Sequence, residues 1–328
     1  MTWWIVSVAL AGKGLEPVTP VVPVEVDPTA IVGGEPTAPG EAPAVGALFV
    51  ASLYGCTGVL IAPDLVLSAG HCWSATSLEK SVVLGTSDHD GDEGERLLIV
   101  EDWQMPNYLE TFDIGLFALE RPATTPPVRL LRSCDAPGVL EDGVEATILG
   151  YGATDLEGRE PTTQLHRAVV TIDDADCDDL ERGCRSAVSP GGELRAGGDG
   201  VDTCIGDSGG PLFVEGPEGP VLAGITSRSA LPAPTDCGNG GLYVRVDAVI
   251  DWIEETSGRR LAGEPCEPEP APDKVATGDT GLDNGVDRCG CASAAGVPWE
   301  LGLAAWLTVV ARGRGRRERR AVRRLPRG

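Results

Sequence analysis

Eleven consecutive residues, Val201-Asp202-Thr203-Cys204-Ile205-Gly206-Asp207-Ser208-Gly209-Gly210-Pro211, bring together a hydroxyl nucleophile, two acids, a cysteine and several structure-breaking residues. A serine flanked by glycines favours a tight turn whose backbone N–H groups converge on one point. An oxyanion hole needs that arrangement, because its donors must be fixed where the negative oxygen of a tetrahedral intermediate will form. The competing reading is a surface turn, since Asp-Ser-Gly-Gly-Pro is ordinary turn chemistry. A base and an orienting acid elsewhere in the chain decide between them.

The chain has three histidines, His71, His89 and His166. His166, between Leu165 and Arg167 near a strand start, reads as structural, and His89 lies in the acidic run Asp88–Glu95. His71 follows the apolar run Leu65-Val66-Leu67 and precedes Cys72. A histidine held at a strand end beside a disulfide is well placed as a general base. Asp113, enclosed by Phe112, Ile114 and Leu116, is costly to bury without a partner. It is the candidate to orient the imidazole and stabilise its charged form. The chemistry implied is acyl transfer through a serine nucleophile.

The elements that must position these groups read as short strands. Apolar runs at Gly46–Tyr54, Val59–Ile61, Leu65–Leu67, Val128–Leu131, Ala146–Leu149, Val169–Ile172, Val221–Ile225 and Leu242–Val246 are bounded by turn residues. Many short strands with recurrent turn signals suggest an all-β sandwich or barrel. One helix is expected over Val246–Thr256, where Val246, Val249, Ile250 and Ile253 follow helical spacing.

Charge divides the chain of 328 residues. The net charge is −24, yet the segment beyond Ala311 holds nine Arg and one Glu, so everything before it carries −32. An acidic body argues against nucleic-acid binding. Residues 1–11, with the apolar run Trp3–Ala11 and the ending Ala-Leu-Ala, read as a secretory signal whose basic start is missing; a buried strand is the alternative. Residues 12–30 are Pro- and Val-rich and read as a pro-segment. Residues 259–288 form a Pro-rich acidic linker. Residues 289–328 hold Cys289-Gly290-Cys291, an apolar stretch to Ala311 and the Arg-rich end. Twenty residues at about 1.5 Å each just span a bilayer core of about 30 Å, although Glu300 and Pro298 oppose insertion; a disordered basic tail is the alternative. The ten cysteines have no zinc-finger spacing, and they read as disulfides formed in an oxidising compartment.

Residues 31 to about 256 resemble the trypsin/chymotrypsin family of serine endopeptidases. The resemblance rests on Ile31-Val32-Gly33-Gly34, Ser68-Ala69-Gly70-His71-Cys72, Asp113-Ile114, Gly150-Tyr151-Gly152 and Gly206-Asp207-Ser208-Gly209-Gly210-Pro211. The order His71, Asp113, Ser208 is also that of chymotrypsin among the known triads. The resemblance implies an all-β fold of two six-stranded antiparallel Greek-key barrels with a C-terminal helix, spanning residues 31–258. It implies that Ser208 is the nucleophile, His71 the general base and acid, and Asp113 the orienting acid. The N–H groups of Gly206 and Ser208 would form the oxyanion hole. Cleavage of Ala30–Ile31 by another protease would free an α-ammonium at Ile31 that pairs with Asp207.

By the same resemblance Asp202 lines the base of the primary pocket and predicts cleavage after Arg or Lys, with Thr203, Ser227, Arg228, Ser229 and Gly241 lining the substrate cleft. The chain departs from the family at Arg228 and Ser229, where Ser229 would narrow the entrance and Arg228 would screen the pocket or favour acidic flanking residues. Disulfides Cys56–Cys72, Cys204–Cys237 and Cys177–Cys184 follow by the resemblance, leaving Cys134 and Cys266 as a further pair by elimination. The acidic run falls where trypsins carry a calcium loop, so Asp88, Asp90, Asp92 and Glu93 are candidate calcium ligands, with a solvated acidic loop as the alternative; no cofactor is required. The tail resembles the C-terminal sorting segments of myxobacterial surface proteins, which implies processing or lipid attachment at the Cys pair and retention at the cell surface.

The expectation is an exported or surface-anchored serine endopeptidase acting on proteins or peptides and made as a zymogen. A catalytically silent homologue serving as a binding module is the rival from another class, and a permanent zymogen is a second; the intact Ser-His-Asp set weighs against the first.

Overall fold

Strand pairing begins with a two-residue segment, β1 (Glu35–Pro36), and continues in a hairpin, β2 (Val45–Val50) and β3 (Leu53–Ala62). The apolar run Gly46–Tyr54 is therefore two strands, not one. Ala51 and Ser52 both adopt left-handed φ, 50° and 68°, the conformation of a two-residue hairpin turn whose twist matches its strands. The computed structural model describes residues 31–72, 78–261 and Cys266. The expected signal, pro-segment, apolar span and Arg-rich tail, with most of the linker, lie outside the described residues. Among the described residues no helix is long and apolar enough to cross a membrane.

The hairpin continues into β4 (Leu65–Ser68), β5 (Lys80–Leu84), β6 (Glu95–Gln104) and β7 (Gly115–Leu119). These close in the order β2-β3-β4-β7-β6-β5. The second half contains β8 (Glu145–Gly150), β9 (His166–Asp174), β10 (Glu193–Ala196), β11 (Pro211–Gly216), β12 (Gly219–Ser229) and β13 (Gly241–Arg245). These six run β9-β10-β13-β12-β11-β8, and β8 pairs back onto β9, closing a second antiparallel barrel with β1 on its edge. Closure leaves no long open sheet edge to pair with other chains. The period of two is plain in β9, where His166, Ala168, Val170 and Ile172 point inward and Val169 and Thr171 outward.

Each barrel has its own core, with Leu60, Val66, Leu84 and Phe117 in the first and Ile148, Ile172, Leu194 and Leu212 in the second. A third cluster joins them: Val59, Ile61, Leu65 and Leu67 of the first barrel pack with Leu222, Ile225 and Val244 of the second. Truncating one of these to Ala would cost about 2–5 kcal/mol and loosen the barrels against each other. Val128–Leu131, expected as a strand, is instead the crossing segment. Its Val128 N–H bonds to Leu60 of one barrel and its Leu131 N–H to Leu222 of the other, with one isolated bridge at Leu130.

The helix α1 spans Ile250–Ser257 and begins later than its apolar spacing suggests. Val246 is claimed by the sheet, donating its N–H to Ala223 at 2.9 Å, and Val249 caps the helix. Gly258 stops it in left-handed conformation with its N–H on the Glu254 carbonyl.

Candidate active site

The register of β4 on β7 sets Ser68 opposite Gly115. The chain leaving β4 therefore passes directly beside the residues entering β7. A single tight turn, Gly70–Cys72, follows β4 and carries His71, and Asp113 stands two residues before β7. Asp113 accepts twice from His71, Oδ1 taking the backbone N–H at 2.8 Å and Oδ2 facing ring Nδ1 at 2.8 Å. Ser227 Oγ donates to the same Oδ2 at 2.7 Å. Burial alone would raise the Asp113 carboxyl, but the His71 and Ser227 donors outweigh it and hold it below its usual range. The carboxylate thus stays charged, fixes the imidazole tautomer and leaves Nε2 free.

The turn expected from the sequence carries Ser208 beside the His71 turn, its carbonyl 3.7 Å from Cys72 Sγ, with no Ser208–His71 hydrogen bond among the described residues. Gly206 has φ 103° and Gly209 φ 80°. A Cβ on Gly209 would stand 1.8 Å from Ser68 Oγ and 2.7 Å from the Ala69 nitrogen, so only glycine lets the nucleophile turn approach the strand that carries His71. Across the barrel boundary, Thr57 N–H donates to the Ser208 carbonyl at 2.9 Å. Tyr54 Oη and Thr57 Oγ1 donate to the Gly206 carbonyl at 2.6 and 3.1 Å. Among the described residues neither the Gly206 nor the Ser208 N–H is consumed by an acceptor, which leaves both for an oxyanion. Tyr54 and Thr57 were not legible as site residues, because nothing local marks a tyrosine in a hairpin as a support for a loop 152 residues away.

Asp207 is fully buried, accepting from Gly152 N–H at 2.8 Å and Cys204 N–H at 2.8 Å. A Cβ on Gly152 would lie 2.5 Å from the Asp207 carboxyl carbon, which explains that glycine. Burial pushes the Asp207 pKa up to about 7 against those two donors. Ile31 is also buried, in the second barrel's core, and its neighbour Val32 accepts the Asp202 N–H at 3.1 Å.

Asp202 is buried as well, and its Oδ1 accepts from Thr203 N–H at 2.7 Å and Thr203 Oγ1 at 3.3 Å. Its Oδ2 has no hydrogen-bond partner. Burial pushes its pKa up to about 6, opposed by the Thr203 donors and by the Gly240 and Asn239 amides, which face the carboxylate without meeting hydrogen-bond geometry. Ser229 lies opposite Gly241 across β12 and β13. Its Oγ donates to the Asp236 carbonyl at 3.2 Å, so the hydroxyl is tied to the 230–239 loop.

Arg228 does not screen Asp202. Its guanidinium turns to Glu193 of β10 at 2.6 and 2.9 Å. Glu193 was missed in the sequence, although a lone acid in a strand with Leu194 and Ala196 is a signal for a buried partner.

All four disulfides among the described residues match expectation: Cys56–Cys72, Cys134–Cys266, Cys177–Cys184 and Cys204–Cys237. The acidic loop is different. The two places among the described residues where three His, Cys or acidic side chains converge, Cys56 with His71 and Cys72 and Asp174 with Cys177 and Cys184, are disulfides with one neighbour, whose sulfurs are not free to bind a metal. Asp88, Asp90, Asp92 and Glu93 do not converge into such a set; Asp88 Oδ1 instead accepts the Asp90 N–H at 3.2 Å.

Comparison with known proteins agrees with this geometry. A family model described as Trypsin matches residues 31–253. A trypsin of Saccharopolyspora erythraea is 33% identical over 232 residues, covering 69% of this chain and 97% of the relative. Brachyurin of Leptuca pugilator is 32% identical over 235 residues, covering 70% and 99%. Among solved structures, mouse neuropsin, a serine protease expressed in the limbic system of the brain, superposes with TM-score 0.57 at 27% identity, covering 69% of this chain and all of that one.

Proposed function

The chain belongs to the trypsin family of serine proteases, and on that premise we propose that it is an exported serine endopeptidase that cuts after Arg or Lys and is activated by cleavage at Ala30–Ile31. The observation that carries the reading is the His71–Asp113 pair, joined at 2.8 Å, set beside a turn that offers Ser208 with two unengaged N–H groups. Ser208 Oγ attacks the scissile carbonyl while His71 Nε2 takes its proton. The oxyanion forms against the Gly206 and Ser208 N–H groups. His71 then protonates the leaving amine, and water reverses the steps to release the acid. Asp113 stabilises the imidazolium throughout.

The preference for Arg or Lys is supported by the unpartnered Asp202 Oδ2, which a substrate guanidinium or ammonium would satisfy. Ala30 does not suit such a pocket as the residue before the cut, so a different protease performs the activation. Association with a membrane or cell surface through the tail belongs to the same proposal. So does calcium at the acidic loop, for which binding would have to draw its carboxylates together.

The test is a fluorophosphonate probe applied to chain cut at Ala30–Ile31. Ser208 should be labelled, and the absence of a label on Ser208 rejects the enzyme. A peptide-library digest then examines the pocket, and cleavage mainly after Ala or Leu refutes the preference for cationic residues.

A further inference from the structure

The wall that carries Ser227 also holds an ion network that peptide hydrolysis does not by itself require. Glu193 opens β10 and is 1% exposed, a costly place for an isolated carboxylate. Arg228 grips both its oxygens, Nη1 on Oε1 at 2.6 Å and Nη2 on Oε2 at 2.9 Å, the bidentate fork that a guanidinium alone provides. Arg185 closes the other side: its backbone N–H donates to Oε2 at 2.9 Å and its Nη1 lies 3.6 Å from Oε1. The cluster of two guanidiniums and one carboxylate is left with a net positive charge.

This network touches the catalytic pair in two ways. Arg228 Nη1 donates to Ser227 Oγ at 3.3 Å, and Ser227 Oγ donates to the Asp113 oxygen that faces His71. Ser227 lies where the β12–β13 register shifts, between Thr226 and Arg228, and a bulge of that kind re-aims a side chain. Arg185 Nη1 donates to the Thr111 carbonyl at 2.8 Å, two residues before Asp113, and so pins the backbone of the same loop. Asp113 is thus faced by His71 from the turn after β4, by Ser227 and Arg228 from β12 and by Arg185 from the segment before β10, with Glu193 behind both arginines. Gln104 of β6 adds a neutral contact, donating to the Gly70 carbonyl at 2.7 Å.

We propose that Arg228, clamped by Glu193, is a positioning residue that acts through Ser227 to fix Asp113 against His71 and couples the charge of the buried ion network to the imidazole. The proposal rests on the reading of His71 and Asp113 as a catalytic pair, and its test does not need turnover. In the full chain cut at Ala30–Ile31, the His71 ring is titrated by NMR with labelled histidine, its resonance assigned by loss in H71A. Removing the cation with R228Q leaves Glu193 facing the pair, and His71 should titrate about half a pH unit higher than in the native chain. E193Q leaves Arg228 uncompensated and should move it by a similar amount in the opposite direction. The acid limb of kcat/KM should follow with the same signs. R228K keeps the charge but not the fork, and should lower kcat several-fold with little change in KM.

A purely structural role would shift both variants the same way or leave both on the native curve, and either result overturns the proposal. Should R228Q not fold, the sign of the E193Q shift decides alone. A chain that titrates as expected but takes no fluorophosphonate defeats the peptidase reading and not the coupling.

Discussion

Asp113 and Asp202 are both buried carboxylates, yet their surroundings push them in opposite directions. Asp113 is met by His71 and Ser227 donors and is held ionised. D113N would preserve the shape but allow the wrong imidazole tautomer, and kcat should fall on the order of 10⁴-fold, read by steady-state kinetics against an Arg ester. Asp202 has an oxygen without a partner and a pKa pushed up to about 6. Because its folded value is raised, the anion that would bind a cationic side chain is present above about pH 6 and is lost as pH falls through it. The inhibition constant of a small amidine should therefore worsen severalfold between pH 7.5 and 5; a flat profile would remove Asp202 from the pocket floor. At this scale local glycine, cysteine and apolar context marks Ser208, His71 and Asp113 as candidates, whereas Asp202 is a candidate only through the family resemblance. Glu193 carries only the weak signal of an acid beside Leu194 and Ala196, and Arg185 none, since an ion network across strands leaves no local pattern that names its partners.

Between residues and molecule stand the elements, and here the sequence was readable in kind but not in boundary. The alternation of β9 and the apolar runs of β3 and β12 predict strands directly. The break at Ala51-Ser52 carries no sequence signal because neither residue favours left-handed φ, so tertiary closure of the barrel imposes the hairpin. Val246 likewise has helical spacing with Val249 and Ile250, but the Ala223 carbonyl captures its N–H first. The elements also explain the disulfides. Cys204–Cys237 ties the segment before the nucleophile turn to the loop before β13, closing a loop with sequence separation 33. Loop-closure entropy assigns such a bridge roughly 3–4 kcal/mol. The double variant C204A/C237A should lose about that much stability in urea titration. It should raise KM for Arg substrates more than it lowers kcat, because it frees the pocket wall while leaving the His71–Asp113 pair pinned by Cys56–Cys72. Equal loss in kcat alone would show that the bridge serves the nucleophile turn instead.

For the whole molecule, the proposed cut at Ala30–Ile31 should change stability as well as activity. Asp207 is buried with two N–H donors, and among the described residues no cation pairs with it, so its pKa rises to about 7. A carboxyl with a raised folded pKa contributes stability that is full below its unfolded value near 4 and is progressively lost as pH rises through 7. Ile31 is fully buried with φ 52°, a conformation that costs a β-branched residue about 1–3 kcal/mol. A cut at Ala30–Ile31 removes the peptide bond that defines this φ and creates an α-ammonium, which titrates near ~8 in model peptides. Paired with Asp207, that cation would cancel the desolvation penalty wherever both groups are charged. S208A chain, unable to digest itself, should therefore show a higher Tm after cutting than before between pH 7 and 8. The difference should shrink below about pH 5, where Asp207 is neutral in the uncut chain, and again above about pH 9, where the amine loses its proton. The same alkaline loss should appear in the activity of the cut native enzyme. Acetylation of the new N-terminus should abolish both effects, and an acetylated enzyme that stays fully active and equally stable would rule out the Ile31–Asp207 pair as the switch.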